Sequence, residues 1–139
     1  MSDRFKFRFW NKKNNAYIKS NKLIYNDGTY TQVGTKQMNN GLYHSYIVNE
    51  YNTFDIIPEQ CTGLKDKNGK LIYEGDIVEV SKAYENGIYK IEFCQADCEY
   101  NLYNEDGNFI YQLTKNMANF IEVIGNIHEN PELLEVQDD

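Results

Sequence analysis

The sequence predicts a mostly β protein. It reads as one antiparallel β domain over residues 1–139: N-terminal β-hairpins in 1–60, an SH3-type roll or barrel over about 60–130 within a 61–134 region, and a short C-terminal helix. Three observations predict this class. Twelve Tyr and seven Phe stand against only four Ala; aromatic side chains suit a pleated, half-buried surface, whereas Ala is the best helix former. Turn signals recur at Asn26-Asp27-Gly28, Asn39-Asn40-Gly41, Asn68-Gly69 and Asn104-Glu105-Asp106-Gly107, each able to reverse the chain. Between them, apolar and polar residues alternate in short runs, the period of a strand.

Residues 4–9 alternate strictly, setting Phe5, Phe7 and Phe9 on one face and basic groups on the other. Trp10 is expected to end that strand, and Asn11-Lys12-Lys13-Asn14-Asn15 supplies turn chemistry before Ala16-Tyr17-Ile18. Further strands are expected at 22–25, 29–33 and 42–48. Asn68-Gly69 predicts a type I′ hairpin turn, with positive φ at both residues. Tyr73-Glu74-Gly75-Asp76 then bends the chain into a strand at 77–80, Gly75 giving backbone freedom and Asp76 accepting from turn amides. A Gly-Asp step before a Val-rich strand is a common entry into SH3-like barrels, a fold-level analogy. Strands follow at 88–93, 100–103 and 109–113, then a turn or helix at 114–119 and a last strand at 120–127 with Gly125 as a bulge. Asn130-Pro131-Glu132 opens a short helix with Asn130 as its N-cap, and residues 136–139 fray.

Length and charge exclude several classes. A chain of 139 residues is one domain's worth, and 41% apolar content is too high for a disordered acidic tail. No window approaches the roughly 18 uncharged apolar residues of a membrane span. Charged residues interleave with Phe at the start, unlike a signal peptide, so a cytoplasmic location with no membrane partner is expected. A net charge of −7 argues against a general nucleic-acid coat. The charge is uneven: residues 1–40 hold eight basic against two acidic groups, a balance of +6, leaving −13 for the rest. Such polarity suits pairing within the chain or between subunits.

Cys61, Cys94 and Cys98 are an odd number, which fits reduced thiols better than a disulfide framework. Cys94 and Cys98 with Cys61 and a His make at most half of a zinc pattern, and Cys61 with His128 is no stronger as a nucleophile pair. No metal or cofactor is expected.

Three segments carry a resemblance. They are Phe7-Arg8-Phe9-Trp10-Asn11-Lys12-Lys13; Thr62-Gly63-Leu64-Lys65-Asp66-Lys67-Asn68-Gly69 through Tyr73-Glu74-Gly75-Asp76-Ile77-Val78; and Glu122-Val123-Ile124-Gly125-Asn126-Ile127-His128-Glu129-Asn130-Pro131-Glu132-Leu133-Leu134. In that order they resemble the YopX proteins, small proteins encoded by phages and prophages of Gram-positive bacteria. Phe9 and Asn11 depart from the family's usual Ala and Asp. The resemblance implies a compact β-rich domain with an SH3-type roll and a phage or prophage origin; it implies no reaction.

Two groups of residues are candidates for function. Gly63, Asp66, Asn68, Gly69, Glu74, Gly75 and Asp76 form a structural turn motif; Glu74 and Asp76 are the nearest approach to paired carboxylates, and two acids around a Gly turn suit capping. The candidate binding surface is Arg4, Lys6, Arg8, Trp10 and Lys12, a basic-aromatic cluster, with Tyr43 and Tyr46 from a Tyr-rich stretch. The reading is a non-enzymatic phage or prophage accessory protein that binds another protein or itself. The alternative is a nucleic-acid-linked protein, through the basic N-terminal strand or an acidic surface that imitates DNA.

Overall fold

The computed structural model describes residues 6–20, 23–81 and 86–135; the expectations for Arg4, Phe5, Lys22 and the tail lie outside them. The fold is mostly β, with twelve strands and a single one-turn α-helix among the described residues. Two compact units form, residues 7–59 and residues 60–139 with 1–6. By charge the first unit holds six basic against four acidic side chains and the second eight against seventeen, so the acidity belongs to the second. No helix among the described residues is long and apolar enough to cross a membrane.

The 7–59 unit begins with β1 (Phe7–Asn11), paired antiparallel with β2 (Ala16–Tyr17) so that Trp10 faces Tyr17. Trp10 does not end the strand. Its indole lies inside, 5% exposed, edge-on to the Tyr17 ring at 5.0 Å, because burying a large ring gains more than leaving it at a strand end. Next come β3 (Ile24–Asn26), β4 (Thr29–Gln37) and β5 (Tyr43–Asn52), a separate sheet in the order β3-β4-β5. Asn52 caps a 3-10 turn at Thr53–Asp55, its Oδ1 accepting from the Phe54 amide at 2.9 Å. The chain then enters β6 (Ile56–Lys65), which is hydrogen-bonded to β1.

In the second unit the later part of β6 pairs with β7 (Leu71–Tyr73), through Cys61 with Tyr73 and Lys65 with Leu71. A five-stranded antiparallel sheet fills the region expected to form the roll. Its strands are β8 (Asp76–Val80), β9 (Gly87–Cys94), β10 (Glu99–Tyr103), β11 (Phe109–Gln112) and β12 (Ile121–Asn126), in the order β11-β10-β9-β8-β12. The core cluster includes Ile72, Val78, Val80, Ile91, Leu102, Met117 and Ile121. α1 (Lys115–Ala118) contributes Met117 and Ala118 to it, with the Thr114 hydroxyl accepting from the Met117 amide at 3.1 Å.

Two turn expectations are corrected. Asn68 has no positive φ; only Gly69 does, at 82°, so the Asn68-Gly69 turn is not type I′. The Asp66 carboxylate decides this: Oδ1 accepts from the Asn68 and Lys70 amides, both at 2.9 Å, which holds a five-residue loop. Type I′ backbone occurs at Asp27-Gly28, with φ of 46° and 85°. At the C-terminal end the helix is a 3-10 turn, Pro131–Leu134, and Asn130 makes no side-chain cap bond. Its Oδ1 accepts from the Asn126 amide at 3.3 Å, in space that a Cβ on Gly125 would take, 2.6 Å from that oxygen. The bulge expected here is present as a register shift between Val123 and Gly125.

Candidate functional site

The three-stranded sheet is built from local signals. The Asp27-Gly28 turn sets β3 on β4, with Tyr25 opposite Tyr30. At the other end of β4, residues 38–42 close a five-residue loop: the Met38 amide donates to the Leu42 carbonyl at 2.7 Å and the Gly41 amide to the Met38 carbonyl at 2.9 Å. Gly41 takes a φ of 83°, which L side chains rarely adopt. β5 returns along β4, from Gln37 opposite Tyr43 to Thr29 opposite Asn52, with one extra residue at Val48 where the register shifts.

Opposite residues share a face and successive residues alternate. One face therefore carries Ile24, Val33, Tyr43 and Ile47; the other carries Tyr25, Tyr30, Gly34 and Tyr46. Tyr30 is partly covered, its ring 5.8 Å from Phe9 and 5.5 Å from Tyr25. The Tyr46 ring lies across Gly34, where a Cβ would meet it at 2.7 Å. Gln32 Oε1 accepts from Asn49 Nδ2 and from the Tyr51 hydroxyl, both at 3.3 Å. Toward the loop end both faces are open: Tyr43 is 71% exposed, Ile47 61% and Tyr46 48%, and Met38 and Leu42 at the tip are also exposed.

The expected binding residues are thus dispersed. Tyr43 and Tyr46 share β5 but point to opposite faces. Arg8 lies on β1, its Nε 2.8 Å from Oε1 of Glu59. Its guanidinium sits 4.8 Å from the centre of the Tyr17 ring, and the Tyr17 hydroxyl donates to the same Glu59 oxygen at 2.8 Å. Glu59 is 3% exposed; a charge so buried needs such partners. Trp10 is buried beside this cluster, while Lys6 and Lys12 are exposed. Arg4 lies outside the described residues.

In the turn motif, Asp66 and Asp76 bond backbone amides. Gly63, Gly69 and Gly75 have φ of 85°, 82° and 87°. Asp66, buried, bonds the Asn68 and Lys70 amides through Oδ1 and the Val123 amide through Oδ2 at 2.9 Å. Asp76, 1% exposed, accepts from the Tyr73 amide at 2.7 Å. Glu74 is half-buried. Its charge acts on Tyr100: burial first, then Glu74 and Cys61, pushes that phenol above its usual 10.0. A groove of about 310 Å³ beside Asp66 is lined by Leu64, Lys65, Lys115 and Asn119; its one carboxylate, Asp66, is already engaged by three amides.

Sequence reasoning missed two features. Glu59 follows Pro58 in a run with no readable alternation, so neither its strand nor its burial was visible. The Tyr-rich stretch was visible, but not that it stands as a sheet with both faces open.

Comparison with known proteins agrees with this architecture. A family model described as YopX protein matches residues 6–135. Among solved structures, protein EF1440 from Enterococcus faecalis is similar, with 28% identity over 94% of this chain and 97% of that one, at a TM-score of 0.60. Protein yopX from Bacillus subtilis has 21% identity, with 95% and 99% covered and a TM-score of 0.53. No curated protein matches the chain. With its family model matched across both units and nearly from end to end, the chain belongs to the YopX family.

Proposed function

We propose that this chain is a phage or prophage accessory protein of the host cytoplasm that works by binding another polypeptide chain, without catalysis, through the sheet β3-β4-β5. The observation that carries the reading is the exposed apolar surface of that sheet. Between Ile24 and Asn52 the chain has five tyrosines and only three formal charges, Asp27, Lys36 and Glu50. Enrichment in aromatic residues with depletion of charge is the composition of an interface core. Fully burying one Ile or Tyr of this kind against a partner is worth about 1.5–3 kcal/mol, a gain the isolated chain forgoes. The phage origin rests on the family resemblance. A protein partner is favoured over nucleic acid because the sheet carries one Lys, Lys36, and no Arg, where phosphate demands several.

The test is affinity purification of the full chain from a prophage-bearing host, beside a Tyr43→Ser/Ile47→Ser variant. Both positions are exposed, so the variant should fold, which circular dichroism checks. Wild type is expected to retain a stoichiometric polypeptide, or a further copy of itself, that the variant loses. Retention unchanged by the variant, or wild type that is monomeric and retains nothing, would overturn the reading.

A further inference from the structure

We infer that the polypeptide bound by this sheet is a second copy of the same chain, joined edge to edge along β5 over Tyr43, His44, Ser45, Tyr46 and Ile47, in antiparallel register about Ser45. The inference rests on the binding reading above and names its partner.

An outer strand presents unpaired amides and carbonyls, and proteins guard such edges with brevity, Lys, Pro or a bulge. The sheet's edges are β3 and β5. β3 is guarded by brevity, three residues long. β5 has ten residues, and its guard is the extra residue at Val48. Ahead of that bulge, positions 43–47 contain no Lys, Pro, Gly or formal charge. A regular strand of about five residues is of ordinary length for pairing.

The identity of the partner follows from charge and symmetry. The sheet lies in the unit with six basic and four acidic side chains, and over Tyr43 to Ile47 two copies meet with no formal charge on either side. Two-fold pairing is self-consistent when residue i meets j and j meets i. About Ser45, Tyr43 of one copy meets Ile47 of the other, twice, on one face; His44 meets Tyr46, twice, on the other. Aromatic against β-branched is among the favourable cross-strand pairs. Ser45, at the axis, is small enough for close approach. The Tyr46 ring already leans inward over Gly34, away from the outer edge. Pairing beyond Val48 would join opposite faces, because the bulge reverses the alternation. That confines the register to the five residues.

Charge swapping tests both partner and register, read by light scattering after size exclusion and by sedimentation over a concentration series. Wild type is expected to dimerise. Y43K/I47K places Lys opposite Lys at two symmetric pairs and is expected to weaken the dimer by about tenfold to a hundredfold. Y43K/I47E places opposite charges across the axis and is expected to restore it, although the two positions lie too far apart along one strand to meet within a chain. A dimer indifferent to Y43K/I47K, or one that Y43K/I47E fails to restore, would overturn the inference. If wild type is monomeric at every concentration while host purification still yields a different polypeptide, this inference falls and the binding reading stands. If neither is found, both fall.

Discussion

Three loops of this protein share one hydrogen-bonded backbone and a Gly at the fourth position, and they differ in the acceptor their first side chain offers. Each is five residues long. The first residue's amide donates to the fifth residue's carbonyl, at 2.7 Å for Met38, 2.8 Å for Asp66 and 3.0 Å for Asn104. The fourth is a Gly with φ of 83°, 82° and 82°. Asn104 Oδ1 accepts from the Asp106 and Asn108 amides, both at 3.0 Å. Asp66 makes the same two bonds and a third, to the Val123 amide. Met38 makes none, and Asn40 serves the Leu42 amide there at 3.0 Å. A bond to a charged acceptor contributes about 1.5–3 kcal/mol and a neutral one about 0.5–1.5 kcal/mol. Two of the Asp66 bonds go to amides of exposed turn residues, which water can serve when the acceptor is lost. Asp66→Ala should therefore cost about 3–5 kcal/mol and Asn104→Ala about 1–2 kcal/mol. Asp66→Asn should fall between, keeping the loop through one oxygen and losing the Val123 bond. Met38→Asn should stabilise by about 0.5–1 kcal/mol, since only the Asn40 amide gains a partner. Urea unfolding reads all four; with slopes of about 1–3 kcal/mol/M, Asp66→Ala lowers the midpoint by at least about 1 M. Asp66→Ala no more damaging than Asn104→Ala, or Met38→Asn that destabilises, would refute the reasoning.

Other outcomes follow from single contacts. Glu59→Gln leaves an acceptor for Tyr17 but removes the charge facing Arg8; with Arg8 about one-fifth exposed, a loss of about 1–3 kcal/mol is expected in urea unfolding. Thr114→Ala removes the cap of α1 and should cost about 1 kcal/mol, read as a lower melting temperature. Tyr100 makes stability depend on alkaline pH. Its folded pKa is raised, so its contribution is fully present below the unfolded value near 10 and is lost as pH rises from there through the folded value. Tyr100→Phe should flatten the decline above pH 10 relative to wild type, in stability measured across pH 8 to 11.

What was legible in the sequence was local. The hairpins around Asp27-Gly28, Asn39-Asn40-Gly41 and Asn104-Glu105-Asp106-Gly107 were readable because each carries its own turn chemistry. β4 and β5 run longer than expected, to Gln37 and Asn52. β4 extends toward the loop, where polar residues on open faces break no pattern. β5 continues past its extra residue at Val48, which shifts the alternation, to pair with Thr29–Gln32. The Asn68-Gly69 turn was mistaken because its geometry is set by a side chain two residues upstream. β6 was hidden by Pro58 and by Glu59, a buried acid whose partners stand 51 and 42 residues away. Of the candidate surface, Tyr43 and Tyr46 could be nominated by type. Which face each takes depends on register, and Arg8 and Trp10 turn inward for reasons set by Glu59 and Tyr17.

The strand order of the larger sheet also fixes when it can be finished. Each of β8 to β10 pairs with its successor and can form as the chain emerges, but the remaining edge of β8 is completed by β12, with Val78 meeting Val123. That partner is synthesised some forty-five residues later. Loop closure over such a span slows folding relative to the hairpins. Until Ile121–Asn126 leave the ribosome, β8 presents Ile77, Val78 and Val80 along a bare edge, and Asp66 lacks its third amide. A nascent chain halted before β12 would therefore hold a hairpin ladder with an open side, a substrate for chaperones.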